Sequence, residues 1–252
     1  MRRVNRKQMS LLRLEPLIES AVGHLRKYEE LTEGKGYYLA FSGGKDSVVI
    51  KALADMAGVN YDAHYNITGI DPPEVIRFIR EHHPDVSNDK PPKGTFLQLL
   101  PTKGFPIRHG KWCCEKLKEC HGEGRVVVTG VRKAESPRRM KQAKLLTCDT
   151  INYRLSPIID WTDEDVWRFI RKFNLPYCKL YDEGWHRIGC MFCPSSTILN
   201  KRQCYDSYPK VVEAFKRKFR KLYSLRKSQG NPSVDRWKDG DEMFEWWLWG
   251  DK

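Results

Sequence analysis

The stretch that decides the fold is Tyr37-Tyr-Leu-Ala-Phe-Ser-Gly-Gly-Lys-Asp-Ser47. Its first five residues form an apolar run that is too short for a helix and lies between glycines, which predicts a buried strand. From Ser47 to Ala57 the apolar residues recur at helical spacing, and Gly58 ends that pattern. The sequence therefore predicts a strand, a tight turn through two glycines and a helix.

The rest of the chain continues this alternation of strand and helix. Residues 61–67 and 125–130 read as further strands, and residues 73–82 read as the helix between them. Such alternation predicts an α/β fold, a parallel twisted sheet with helices on both faces. Other helices are predicted for residues 9–31, from Thr162 onward, for residues 211–222 and in the aromatic tail 244–249. We divide the chain into an α/β domain, 1–160, and a mostly helical region, 161–252.

The composition narrows the class of protein. Of 252 residues, 40% are hydrophobic and 31% charged, and no apolar run approaches the roughly 20 residues that span a bilayer. The start, Met1-Arg-Arg-Val-Asn5, lacks the apolar segment of a secretion signal. These features predict a cytoplasmic protein without a membrane partner, whose eight cysteines are reduced thiols or metal ligands rather than disulfides.

Positive charge is concentrated late in the chain. The net charge is +13, and the stretch from Asn200 to Ser228 contains ten Lys or Arg residues and two acidic residues, Asp206 and Glu213. An excess of this kind favours a polyanionic partner or an anionic substrate. The solvated outer face of a helix and a nucleic-acid surface both fit this run.

The turn between the first strand and its helix has the composition of an anion site. Ligands of parallel sheets bind outside the carboxyl ends of the strands, which is where Ser42, Gly43, Gly44, Lys45, Asp46 and Ser47 lie. Glycines let phosphate oxygens approach backbone N–H groups, and the start of the helix adds free donors and a positive dipole end. The two serines and the lysine add donors, while the aspartate either caps the helix or brings in Mg²⁺. A tight turn without a ligand is the alternative, but the complete run is more specific than two glycines alone.

Ser42-Gly-Gly-Lys-Asp-Ser47 resembles the SGGxDS motif of the PP-loop ATP pyrophosphatases. The resemblance implies that ATP is cleaved between its α and β phosphates, that the loop grips the pyrophosphate, and that AMP passes to an acceptor. Two further segments narrow it to the phosphoadenosine phosphosulfate (PAPS) reductase family. Residues 129–139 are similar to its GxRxxES…R segment, and residues 156–167 to its PI.DWT..DVW segment.

Residues after the third strand complete the candidate nucleotide site. Arg132, Arg138 and Arg139 follow the carboxyl end of that strand, where guanidinium groups suit phosphates or sulfate. Glu135 is expected to orient one of them, and Gly130 lies in the same segment. We expect Lys45, Asp46 and Arg132 to be catalytic and the whole set to bind ATP and pyrophosphate.

Four of the cysteines are candidate metal ligands. Cys113 and Cys114 are adjacent, and Cys190 and Cys193 form a CxxC pair after 75 intervening residues. An adjacent pair is unusual for structural zinc, whose ligands are normally two to four residues apart. The combination resembles the [4Fe–4S] pattern of the adenylylsulfate (APS) reductase branch, in which Lys118 would be the basic residue near the cluster. Zn²⁺ and no metal at all are the alternatives, and one of the other cysteines, with Cys120 nearest the pair, is a candidate persulfide carrier.

One departure from the family decides between its activities. Sulfonucleotide reductases end in an ECG[IL]H segment whose cysteine attacks sulfur, whereas the last cysteine here is Cys204. We therefore expect an adenylating enzyme that transfers sulfur to nucleic acid, DNA or tRNA, with a cysteine desulfurase or thiol reductant as partner. A PAPS or APS reductase that forms sulfite is the alternative, and a non-catalytic module that binds an adenine nucleotide is the third hypothesis.

Overall fold

The computed structural model describes residues 6–148 and 152–250, with side chains from residue 13 onward. Residues 1–5 lie outside this range, and so does the prediction that the start of the chain lacks a secretion signal. The helices are α1 Arg6–Lys27, α2 Lys45–Ala57, α3 Pro73–His82, α4 Phe96–Lys103, α5 Trp112–Leu117, α6 Pro137–Gln142, α7 Asp163–Lys172, α8 Ile198–Ser207, α9 Pro209–Ser228 and α10 Gly240–Trp249. The strands are β1 Tyr37–Ala40, β2 Tyr61–Asn66, β3 Ser87–Asp89, β4 Val126–Val128, β5 Leu146–Cys148 and β6 Tyr153–Leu155.

The six strands form one sheet in the order β3-β2-β1-β4-β6-β5. All neighbours are parallel except β5, which runs antiparallel to β6. The predicted α/β class with a parallel sheet and a helical C-terminal region is therefore confirmed. The sequence did not indicate β3, β5 and β6, because each has three residues and none of the three is an apolar run.

Two compact units make up the chain. The first contains residues up to Asn66, Pro73–Asp89 and His121–Gly184, and the second contains Ile67–Pro72, Lys90–Cys120 and the residues from Trp185 onward. The sheet lies in the first unit. The predicted division at residue 160 stays a prediction. No described helix has the length and apolar character needed to cross a membrane.

The core of the first unit follows the predicted apolar stripes. Leu14, Ala21 and Leu25 of α1 are fully buried, and α1 packs against α2 and α7. Tyr37 and Leu39 of the central strand are also without solvent contact. Burial of a leucine side chain of this kind contributes roughly 1.5–3 kcal/mol to stability.

Arg125 ties the beginnings of three strands together. Its Nη2 donates to the carbonyl oxygens of Lys35, Gly36 and Tyr37 at 3.2, 3.1 and 2.9 Å. The same guanidinium pairs with Asp62 of β2, with Nη1 2.8 Å from Oδ2. Because Arg125 directly precedes β4, one side chain fixes the positions of β1, β2 and β4 at this end.

The buried imidazole of His83 packs against Phe41, the residue before the turn that contains Gly43 and Gly44. The ring of His83 is 4.6 Å from that of Phe41 and 5.2 Å from that of Phe78. His83 is buried, and its Nε2 has no hydrogen-bond partner among the described residues. Burial lowers the pKa of His83 to about 4, with a smaller lowering by Lys51 and an opposing effect of Asp85. The imidazole is therefore neutral in the folded protein near pH 7.

Helix α9 organises the second unit. Its inner stripe, Val212, Phe215, Phe219 and Leu222, is buried, and the helix packs against α4 and α10. Phe244 and Trp247 of α10 contact this stripe, with ring centroids 5.3 and 5.2 Å from Phe219. The predicted helices at residues 211–222 and 244–249 are thus confirmed.

Candidate functional site

The glycine turn connects β1 to α2 and is closely packed on one side. Gly43 has φ +71°, and a Cβ there would lie 2.7 Å from Cγ1 of Val75 and 3.1 Å from Ile79. Gly44 has φ −84°, and a Cβ there would lie 3.5 Å from Ser42 Oγ and Tyr181 Oη, an ordinary contact. Backbone geometry and packing therefore require glycine at 43, whereas glycine at 44 leaves the helix start open.

The two serines of the turn have different surroundings. Ser47 is buried, and its Oγ donates to the Gly44 carbonyl at 2.7 Å. Ser42 is exposed, with its Oγ 3.5 Å from that of Ser47. The Gly44 carbonyl also accepts the backbone N–H groups of Ser47 and Val48, at 3.0 and 3.1 Å. Ser47 therefore fixes the turn internally, and Ser42 keeps its hydroxyl available at the surface.

Four charged side chains meet at the start of α2. Arg132 Nε donates to Asp46 Oδ1 at 2.6 Å, and its Nη2 donates to Asp163 Oδ1 at 3.1 Å. Lys45 Nζ lies 3.1 Å from Asp163 Oδ1 and 3.5 Å from Asp46 Oδ2. The two cations are 5% and 3% exposed, whereas the carboxylates have solvent access. Burial alone would lower the pKa of Arg132. The nearby carboxylates of Asp46 and Asp163 have the larger combined effect, so the pKa of Arg132 is raised.

The turn after β4 is shaped to receive α2. A Cβ on Gly130 would lie 2.9 Å from Asp46 Cβ, so glycine is needed for this close approach. Two residues later, Arg132 Nη1 donates to the Trp161 carbonyl at 3.3 Å and its backbone N–H donates to Glu135 Oε1 at 2.9 Å. All three guanidinium nitrogens of Arg132 are thus hydrogen-bonded within the protein.

The other predicted arginines lie outside this charged group. Arg139 pairs with Glu135, and the exposed Arg138 donates to Gln142 Oε1 at 2.8 Å. Both are on α6, whose N-cap Ser136 accepts the Arg139 N–H at 3.2 Å. The structure therefore brings Lys45, Asp46 and Arg132 together and leaves Arg138 free to meet a ligand from solvent.

Sequence reasoning missed two members of the site. Asp163 is absent from the predicted site residues, although its position after β6, at the carboxyl end of a parallel strand, is a usable signal. Tyr181 ends the 3₁₀ turn Lys179–Tyr181, and its Oη accepts the backbone N–H of Lys45 at 3.0 Å. No sequence motif marks Tyr181, because 136 residues separate it from its partner.

The four candidate metal-ligating cysteines all belong to the second unit. Cys113 and Cys114 are on α5, and Cys190 and Cys193 lie in the segment that precedes α8. The pKa of Cys114 is lowered to about 6, chiefly by a hydrogen bond that its sulfur accepts from Cys113 and also by the charges of Lys111 and Lys118. The pKa of Cys113 is raised, first by that hydrogen bond and also by the charges of Cys190 and Cys193.

The donor set fits a thiolate-bound metal in its chemistry. Cys114, Cys190 and Cys193 each raise the pKa of Cys113 electrostatically, and four cysteine sulfurs are the ligand type of [4Fe–4S] clusters and of structural zinc. Lys118 is held by Cys190, whose charge is the largest influence raising the lysine pKa. Across residues 6–148 and 152–250, however, no three His, Cys, Asp or Glu side chains are arranged as they would be around a metal ion.

The remaining cysteines differ in accessibility. Cys178 and Cys204 are buried, and burial raises the pKa of both thiols, which makes them poor nucleophiles. Cys120 is half-buried and Cys148 is exposed. Of the four, only these two are accessible enough to carry a persulfide.

The basic run of residues 200–228 lies on α8 and α9, and the second unit uses part of it internally. Lys201 is buried and donates to the Leu248 carbonyl at 3.0 Å, and Arg220 pairs with Asp241 and Glu213. Lys210, Arg217 and Lys221 are exposed, and their spacing of seven and four residues places them on one face of α9. No ion pair joins these three to another residue in the described part of the chain. We call them the basic stripe.

The family profile of the phosphoadenosine phosphosulfate reductase domain matches residues 36–196, which include the glycine turn, the charged group and all four candidate ligands. The chain therefore belongs to the PAPS reductase family. It is 30% identical over 189 residues to the APS reductase of Pseudomonas aeruginosa, covering 68% of this chain and 70% of that protein.

Two other comparisons extend this picture. The uncharacterised MJ0973 protein of Methanocaldococcus jannaschii is 31% identical over 212 residues, 79% of this chain and 52% of that protein. The chain spans about half the length of MJ0973 and of a second M. jannaschii relative. Among solved structures, the FMN adenylyltransferase of Candida glabrata has a TM-score of 0.53 and 16% identity, covering 72% of this chain and 63% of that one, a likeness in fold alone.

Proposed function

We propose that this chain binds Mg²⁺ and ATP at residues 42–47, releases pyrophosphate and passes AMP to an oxygen of a nucleic acid, as the activating half of a sulfur transfer. The observation that carries the proposal is the charged group of Lys45, Asp46, Arg132 and Asp163 at the start of α2. Membership of a family that includes sulfonucleotide reductases supports the sulfur chemistry.

Each residue of the turn has a defined task in this reaction. Ser42, the Lys45 ammonium and the backbone N–H groups of the turn hold the β and γ phosphates. Asp46, together with Asp163, would hold Mg²⁺, and Ser47 keeps the turn in shape. The acceptor oxygen forms a bond to the α phosphorus, the bond to the bridging oxygen breaks, and its electron pair leaves with pyrophosphate. The buried cations stabilise the charge that develops there.

Arg132 acts on the ligand through the carboxylates. Its guanidinium donates to both Asp46 and Asp163 and so fixes their orientation. Arg138, exposed on α6, meets the outer phosphates, while Glu135 holds Arg139 in place beside it. Gly130 contributes by allowing the turn after β4 to approach Asp46.

Cys113, Cys114, Cys190 and Cys193 would hold a [4Fe–4S] cluster, with Zn²⁺ as the alternative. When bound, such a cluster supplies iron–sulfur chemistry to the second half of the reaction. The chain's own contribution is a thiol of lowered pKa at Cys114 and the positive charge of Lys118 beside Cys190. Reduced thiols of this kind belong in a reducing compartment, which here means the cytoplasm.

The acceptor is taken to be DNA or tRNA because of the basic stripe. Lys210, Arg217 and Lys221 present three positive charges, without an ion-pair partner among the described residues, along one face of α9, which suits a row of backbone phosphates. Sulfur enters from a persulfide delivered by a cysteine desulfurase; the terminal sulfur displaces AMP, and a thiol reductant then cleaves the resulting disulfide.

The experiment measures pyrophosphate release from ATP by anaerobically purified protein, with DNA, with tRNA and with neither. Release that rises with one nucleic acid supports the proposal and names the acceptor class. A Lys45→Ala variant is the matched control for background hydrolysis. ATP binding without release in any condition would instead indicate a nucleotide-binding module that does not turn over.

Sulfonucleotide reduction is the second candidate function. The 30% identity to an APS reductase, over 70% of that protein, favours it. The same preparation is therefore incubated with PAPS or APS and a thiol reductant, without ATP, and assayed for sulfite. Sulfite formation by the wild type that is lost in Lys45→Ala would contradict the adenylation proposal and support sulfonucleotide reduction.

A further inference from the structure

The backbone N–H that an anion would meet first on α2 already has a partner. Tyr181 Oη accepts the N–H of Lys45, the first residue of the helix, at 3.0 Å. N–H groups of the first helical turn have no partner inside the helix and normally bind caps, water or ligands. Here a phenol from a turn 136 residues away occupies one of them.

The same tyrosine also lies against the lysine side chain. Lys45 Nζ is 5.6 Å from the centre of the Tyr181 ring, within the range of a cation–π contact. Its ammonium is meanwhile 3.1 Å from Asp163. Both the backbone donor and the side-chain charge of Lys45 are therefore satisfied by the segment that contains α7 and the following 3₁₀ turn.

We propose that Tyr181 is a specificity-determining residue of the loop, whose phenol oxygen holds the place of a phosphate oxygen until a sufficiently charged ligand displaces it. This inference rests on the proposed binding of ATP and pyrophosphate at residues 42–47. It adds that the loop selects ligands by charge, because a ligand must first compete with an internal acceptor.

Relative acceptor strength makes this competition selective. A phenol oxygen is neutral, and the positive end of the α2 dipole gives it little advantage. A phosphate oxygen is charged, and hydrogen bonds to a charged acceptor are roughly twice as strong as neutral ones. Pyrophosphate and ATP therefore displace Tyr181, whereas adenosine, which offers no anion, leaves it in place.

The surroundings of Tyr181 allow it to give up this hydrogen bond. Its ring packs edge-on against Trp167 with ring centroids 5.0 Å apart. The ring therefore has a packing contact in addition to the hydrogen bond of its hydroxyl, and that contact can remain when a ligand takes the Lys45 N–H.

The test is calorimetric titration of inorganic pyrophosphate into the wild type, Tyr181→Phe and Tyr177→Phe. Tyr181→Phe keeps the ring contact and removes only the acceptor, so we expect pyrophosphate to bind about fivefold more tightly, as loss of one competing hydrogen bond predicts. Tyr177 is the matched control, since it contacts Trp167 at 5.2 Å but its hydroxyl donates to Asp182. Its variant should bind pyrophosphate as the wild type does.

Equal or weaker binding by Tyr181→Phe, with normal wild-type binding, overturns the inference and leaves the proposed function standing. It would mean that the phenol only positions the loop. Absence of binding in the wild type and in both variants removes the proposed function and this inference together. Binding seen in Tyr181→Phe alone supports the inference in its strongest form. Tyr181→Leu, which also lacks the acceptor, replaces the phenylalanine variant if circular dichroism shows that variant to be unfolded.

Discussion

Arg132 and Asp46 are joined by a 2.6 Å hydrogen bond from Nε to Oδ1, and the same guanidinium reaches Asp163 at 3.1 Å. Lysine cannot replace this arrangement, because an ammonium lacks the planar fork that serves several acceptors at once. For Arg132→Lys we expect a loss of about 2 kcal/mol in the free energy of unfolding, the usual cost of losing hydrogen bonds between charged groups. Pyrophosphate release should fall at least about tenfold.

Urea denaturation and the release assay measure the two effects of Arg132→Lys. Arg138→Lys is the matched control for stability, because Arg138 is exposed and, among the described residues, donates to Gln142. Its unfolding free energy should stay within about 0.5 kcal/mol of the wild type. An equal change in unfolding free energy in the two variants would contradict a special structural role for Arg132.

The two glycines of the turn should respond differently to alanine. Gly43→Ala places a Cβ 2.7 Å from Val75 at positive φ, so we expect it to destabilise the fold by about 1–3 kcal/mol. Gly44→Ala meets only ordinary contacts and should unfold like the wild type, yet bind pyrophosphate more weakly because its methyl group lies over the helix start. Thermal denaturation and titration calorimetry separate the two cases, and a large loss of stability in Gly44→Ala would show that the turn is packed differently.

His83 should make stability depend on pH. Burial holds its pKa at about 4, against 6.5 in the unfolded chain, so the unfolded state binds more protons between these values. Stability is therefore complete above pH 6.5 and declines as the pH falls toward 4, by about 3 kcal/mol over that window. His83→Phe should remove this slope.

Urea denaturation at several pH values between 4 and 7 tests the histidine prediction. The difference between the wild type and His83→Phe isolates this residue from the carboxylates, which titrate in both. His82→Gln serves as control, because His82 is exposed. An unchanged slope in His83→Phe would mean that His83 is accessible to protons in the folded state.

The basic stripe should govern the salt dependence of nucleic-acid binding. Replacing Lys210, Arg217 and Lys221 with glutamine removes three phosphate contacts, so the slope of log affinity against log salt should fall by about 2–3. Fluorescence anisotropy with labelled tRNA and DNA at several salt concentrations measures the slope.

A control with equal charge loss is needed for that experiment. Lys35, Lys141 and Lys144 are exposed and lie in the first unit, so their triple glutamine variant changes net charge equally. It should leave the slope nearly unaltered. If both triple variants lower the slope alike, binding depends on net charge and not on α9.

The cysteine prediction concerns metal content. Cys190→Ser should lose the iron and the absorbance near about 400 nm that a [4Fe–4S] cluster gives the anaerobic wild type, and still bind ATP. Cys148→Ser is the control, because Cys148 is exposed and belongs to the first unit. Stoichiometric zinc in a colourless wild type would decide for the alternative metal.

Sequence reasoning performed best where a single local pattern carries the information. The strand–turn–helix at residues 37–57 and helix α3 follow from apolar periodicity and from glycine and proline positions. Tyr181 and Asp163 could not be assigned to the site in this way, since tertiary contacts alone bring them to Lys45. Charge and position in the sequence predict a phosphate ligand for Arg132. In the structure its guanidinium instead donates to two carboxylates, which are brought to it by tertiary contacts that the sequence does not reveal.

The guanidinium of Arg125 has a consequence for the order in which the protein can be made. It anchors the carbonyl groups of residues 35–37, yet the ribosome adds it some ninety residues after them. Until then the glycine turn exists in the nascent chain without β4, without Arg132 and without Asp163. Residues 67–72 and 90–120, which belong to the second unit, emerge earlier than the last third of the first. The nucleotide loop is thus among the first features synthesised and among the last completed, which makes this a fold that matures late in translation.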